Sequence, residues 1–171
     1  MPDSVKRERD LMEESEPRLV QRLFASFERR HSTLTNRLMQ FIAQPILLWS
    51  GFALAKSLPE PSTLAAIPGV DWAVVAALVI SATYAILSVR IGLAMAMVSL
   101  GMIVIAAFYQ GDAALPLWQP AIVFLGFGIV LWLIGRRIEG RPRVLSEMLL
   151  DLLIAPAWVL SRVLELLRIG Y

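Results

Sequence analysis

His31 is the only histidine in the 171-residue chain, and it stands just ahead of three carboxamides, Asn36, Gln40 and Gln44. The carboxamides recur every four residues, so a helix carries them on one face. An imidazole can move a proton or bind a metal near neutral pH. A carboxamide stripe entering an apolar segment faces other helices or a water-filled pocket rather than lipid. A second cluster, Arg136, Arg137, Glu139, Arg141 and Arg143, sets four guanidinia around one carboxylate. Such an edge attracts an anionic headgroup or another carboxylate, or simply anchors the chain at the membrane, and Glu139 within it reads as ion-paired. Asp151 lies in a leucine-rich stretch, where it can pair with an arginine or cap a half-buried helix. With no cysteine, disulfides, thiolate metal sites and cysteine nucleophiles are excluded. One histidine is a poor basis for a serine triad or for a metal centre. Gly92, Gly101, Gly126 and Gly128 lie in apolar segments and read as close-packing positions, and without a strand–turn–helix context they form no phosphate-binding fingerprint.

These residues sit in a chain that is 57% hydrophobic with a formal net charge of only +2. That composition predicts one membrane domain with a short soluble extension and gives no nucleic-acid signal. Residues 1–16 are densely charged with mixed signs and read as a disordered or loosely helical tail, not as a signal peptide. Residues 17–36 hold an amphipathic helix and a linker, with Leu19, Val20, Leu23, Phe24 and Phe27 at helical spacing and Arg18, Arg22, Glu28, Arg29 and Arg30 opposite. It lies on the membrane surface or packs on soluble parts of the protein.

Residues 37–143 hold four apolar runs, at about 37–57, 72–89, 91–109 and 117–135, each near the roughly 20 residues that a bilayer core requires. Their continuous rather than alternating apolar character makes them helices, in two hairpins. The second and third are separated only around Arg90. Residues 144–171 are amphipathic and carry Glu147, Asp151, Arg162 and Glu165. Burial of such charges at mid-membrane costs about 2.5–3.5 kcal/mol each, so this tail is expected in the interface, broken at Pro156. Lys and Arg cluster before the first run, at Arg90 and after the fourth. The connections at 58–71 and 110–116 hold none, which predicts both termini in the cytoplasm.

The order of three short stretches resembles a family of small multi-pass membrane proteins, once a domain of unknown function, whose characterised members are iron-dependent 2-hydroxy-fatty-acid dioxygenases of fatty acid α-oxidation. The stretches are His31-Ser-Thr-Leu-Thr-Asn36 with Pro45 and Ser50-Gly51; Glu139-Gly140-Arg141; and Ala155-Pro156 in the amphipathic tail. The resemblance covers about residues 31–171. It implies a lipid context, and Fe(II) held by His31 with Glu139 as a catalytic carboxylate. This chain departs from the family at its other histidines, where Gln40 and Gly135 or Arg136 stand.

The combined expectation is an all-α membrane protein with four transmembrane helices, an N-terminal amphipathic helix and C-terminal interfacial helices. It is non-catalytic and needs no cofactor. It binds membrane lipids or a partner membrane protein, as an accessory subunit would, through His31, Asn36, Gln40, Gln44, Arg136, Arg137, Arg141 and Arg143. The alternative is a dioxygenase with a reduced or rearranged iron site.

Overall fold

The computed structural model describes residues 19–30, 33–112, 114–138, 140, 145–166 and 168. The described elements are α1 (Leu19–Arg30), α2 (Leu34–Lys56), α3 (Ser62–Ala65), α4 (Trp72–Leu87), α5 (Val89–Asp112), α6 (Trp118–Ile138) and α7 (Leu145–Leu166), with no strand among the described residues. Three of them are long and apolar enough to cross a membrane: α2, α5 over Val89–Gly111, and α6. The expected second span, α4, has 16 residues. At 1.5 Å per residue it reaches about 24 Å, short of a hydrocarbon core about 30 Å thick. Helix α2 starts three residues earlier than the apolar run, capped by Thr33, whose hydroxyl accepts from the Asn36 amide at 3.4 Å. The same extension carries Arg90 into the first turn of α5 and Arg136 and Arg137 into the last turn of α6. The 58–71 connection contains the single turn α3.

The helices pair through small residues. On α6, Gly135 lies against Asn36 and Gly128 against Leu47, and Ala121 shares a buried cluster with Ala53. Positions 121, 128 and 135 are seven apart, so one smooth stripe of α6 lies antiparallel along α2. Helices α4 and α5 form a hairpin joined by Ser88 alone, in extended conformation. A Cβ on Gly92 would come within 2.6 Å of the Ala85 Cβ, so glycine lets α5 fold back this tightly.

The start of α2, the end of α4, the start of α5 and the end of α6 meet at one end of the bundle, here called the base, and α7 lies across it. Arg136 on α6 reaches Asp151 of α7. The Tyr84 hydroxyl on α4 donates to the Leu153 carbonyl, and Ile91 and Met95 of α5 share a core with Ile154 and Trp158. The expected break at Pro156 is absent: α7 is one continuous helix. Proline removes a single amide donor, to the carbonyl four residues back. Ala155, Ala157 and Trp158 around it are buried in the core of the base, and that packing outweighs the lost bond. The apolar face of α1 also finds protein. Phe24 and Phe27 are buried, and the Phe27 ring lies 5.1 Å from that of Trp158. The tail at 1–16 lies outside the described residues.

Candidate functional site at the base of the bundle

The carboxamide stripe faces inward. Asn36 and Gln40 are 0% exposed and Gln44 2%. Gln44 donates through Nε2 to Gln40 Oε1 at 2.9 Å, and Gln40 donates to Asn36 Oδ1 at 3.4 Å. A Cβ on residue 135 would fall 2.4 Å from that Asn36 oxygen, so Gly135 gives the ladder its room against α6. This is a polar ladder within α2, in which each amide bonds the next, packed against the glycine of α6.

Arg136 Nη1 bonds Asp151 Oδ2 at 2.7 Å, with the carboxylate side chain 1% exposed, and its guanidinium sits 5.7 Å from the centre of the Trp132 ring. Arg136 is thus spent on closing α6 against α7. Arg137 is exposed. His31, Glu139, Arg141 and Arg143 lie outside the described residues. Gly140, in the resemblance's Glu-Gly-Arg stretch, has a φ of +64° and donates its amide to the Arg137 carbonyl at 3.1 Å, a left-handed stop for α6. Among the described residues, no three of His, Asp or Glu are grouped so as to hold a metal ion.

A concave surface opens elsewhere at the base, where the start of α2 passes the end of α7. It encloses about 430 Å³. Leu34, Leu38 and Phe41 line it from α2, and Trp158 and Leu166 from α7; its polar groups are Arg37, Arg162 and Glu165. Arg162 donates through Nη1 to Glu165 at 2.6 Å and pairs through Nη2 with Glu28 of α1. Glu28 also accepts from Trp158 Nε1 at 2.9 Å. The Arg162 guanidinium stands 5.7 Å from the Trp158 ring centre, and Phe41 packs edge-on to the same ring at 5.4 Å.

Sequence reasoning missed Arg37, Arg162, Glu165 and Glu28 as a group. Arg162 and Glu165 are spaced as a helical ion pair, a local signal that was legible. The approach of Glu28 across 134 positions of sequence was not. At the opposite end of the bundle, Lys56 bonds Asp71 at 2.5 Å, where Asp71 caps α4 by accepting from the Val74 amide at 3.0 Å. Burial pushes the Asp71 carboxyl up, but the Lys56 hydrogen bond, the Val74 amide and the Lys56 charge together hold it below its ordinary value. That pair is a latch between α2 and α4, remote from the groove. Comparison with family models, with curated proteins and with solved structures finds no match to this chain.

Proposed function

We propose that this is a non-catalytic integral membrane protein that crosses the bilayer four times and holds a lipid in the α2–α7 groove, as an accessory component of a membrane assembly would. In this reading α4 is the short fourth span, accommodated by local thinning or by the polar ends of its neighbours. The base, with Arg37, Arg90, Arg136 and Arg137, faces the cytoplasm. One observation carries the reading: an open groove that joins leucine and aromatic walls to guanidinia at the level where α1 and α7 lie across the helix ends. An amphiphile's boundary between head and tail matches that junction of polar and apolar lining.

Purification in mild detergent followed by native mass spectrometry tests it. Copies carrying one or more phospholipids, or a second membrane protein, are expected. A lipid-free, partner-free protein that consumes oxygen on a 2-hydroxy fatty acid, with stoichiometric iron lost in His31→Ala, would replace this reading with the dioxygenase.

A further inference from the structure

The groove carries both signs of charge. Arg37 and Arg162 contribute two positive charges; Glu165 in the lining and Glu28 behind Arg162 contribute two negative ones. An anionic headgroup can satisfy the guanidinia alone. A headgroup that is itself a zwitterion can satisfy both signs. Guanidinium groups are suited to phosphate oxygens, which they bind in a planar fork. A carboxylate accepts several hydrogen bonds, so Glu165 can take a further donor while remaining bonded to Arg162. The apolar side of the groove has a matching direction. Leu34, Leu38 and Ile42 are four apart and 73%, 55% and 54% exposed. They form a stripe running from the groove along the outside of α2 for about 12 Å, long enough to guide one acyl chain towards the membrane interior.

We propose that the groove binds a phospholipid with a primary ammonium headgroup, of the phosphatidylethanolamine class. Its phosphate sits at Arg37 and Arg162, its ammonium donates to Glu165, and one acyl chain lies on the Leu34–Leu38–Ile42 stripe. This rests on the lipid-binding reading above and adds the headgroup that the groove selects. Phosphatidylcholine presents the same phosphate and charge but has no N–H to donate. Phosphatidylglycerol presents the phosphate with no cation. These two lipids therefore separate the ammonium contact from phosphate binding.

The test uses the full chain, delipidated in a maltoside detergent and titrated by native mass spectrometry with the three lipids at matched acyl chains. Phosphatidylethanolamine is expected to bind about two- to fivefold more tightly than phosphatidylcholine, the range of a partly exposed ion pair. Glu165→Gln is expected to erase that preference, so that phosphatidylethanolamine and phosphatidylcholine bind alike. Arg37→Gln is expected to weaken both lipids in parallel. Melting of each variant in the same detergent verifies that the fold persists. Equal binding of the three lipids, or tighter phosphatidylglycerol binding, overturns the headgroup assignment and leaves lipid binding standing. No binding of any lipid overturns both.

Discussion

Asp151 shows how one residue's setting decides its role. A carboxylate in a leucine-rich helix invites a catalytic reading, yet its side chain is 1% exposed and bonded to Arg136. Removing one partner of such a pair leaves a buried charge uncompensated, which typically costs about 3–5 kcal/mol. Asp151→Ala is therefore expected to lower the melting temperature in detergent sharply. The double variant Arg136→Met with Asp151→Leu, which replaces both charges by apolar volume, is expected to recover most of it. If the single and double variants melt alike, the pair does not hold α6 to α7. The pairing of Asp151 with some arginine was readable from composition. Which arginine was not, because residues 136 and 151 meet only after α7 turns back across the base.

At the scale of the element, α6 is a helix defined by what it lacks. Its stripe at 121, 128 and 135 carries no side chain larger than a methyl, and α2 fills the space with Asn36, Leu47 and Ala53. Gly135→Ala would drive a methyl group into the Asn36 amide, and an overpacked site of this kind costs about 1–3 kcal/mol. Gly126, with nothing within 4 Å of its missing Cβ, is the control. Gly126→Ala is expected to leave the melting temperature unchanged or to raise it slightly, since alanine favours helix by about 1 kcal/mol. Thermal melts of the two variants side by side check this. The sequence pattern marked apolar runs, and the helices fall on them. It did not separate Gly128, which packs, from Gly126 and Gly101, which face outward, because a glycine's partner is another helix and leaves no local trace. Pro156 misled for a related reason: proline's effect on a helix is local and predictable, whereas the packing of Ala155, Ala157 and Trp158 that keeps α7 continuous comes from elsewhere in the chain. The carboxamide stripe was legible as a shared face at Asn36, Gln40 and Gln44 aimed away from lipid, but its partner Gly135 on α6 was not.

For the whole molecule, the alternation of arginine-bearing and arginine-free ends makes a prediction about sidedness. The chain contains no cysteine, so a single introduced thiol is an unambiguous reporter. Thr63→Cys, in the exposed turn of α3, is expected to react with a membrane-impermeant maleimide in intact cells. Arg90→Cys, in the exposed turn at the base, is expected to react only after the membrane is opened. Labelling of both from one side would mean that α4 does not cross, and that this 16-residue helix is a re-entrant or interfacial hairpin arm. Either outcome is read from the same pair of variants.

Helix α7 touches α1, α2, α4, α5 and α6, and it follows every one of them in the chain. A ribosome therefore releases all the apolar helices before the piece that ties their ends together exists. Until α7 emerges, Arg136 has no Asp151, Trp158 is missing from the pocket formed by Phe27 and Phe41, and Glu28 has no arginine at position 162 to meet. Assembly thus has a built-in order, with insertion first and closure last. A chain arrested before α7 would sit in the bilayer with its base unsealed, a natural target for the quality-control machinery that removes unfinished membrane proteins.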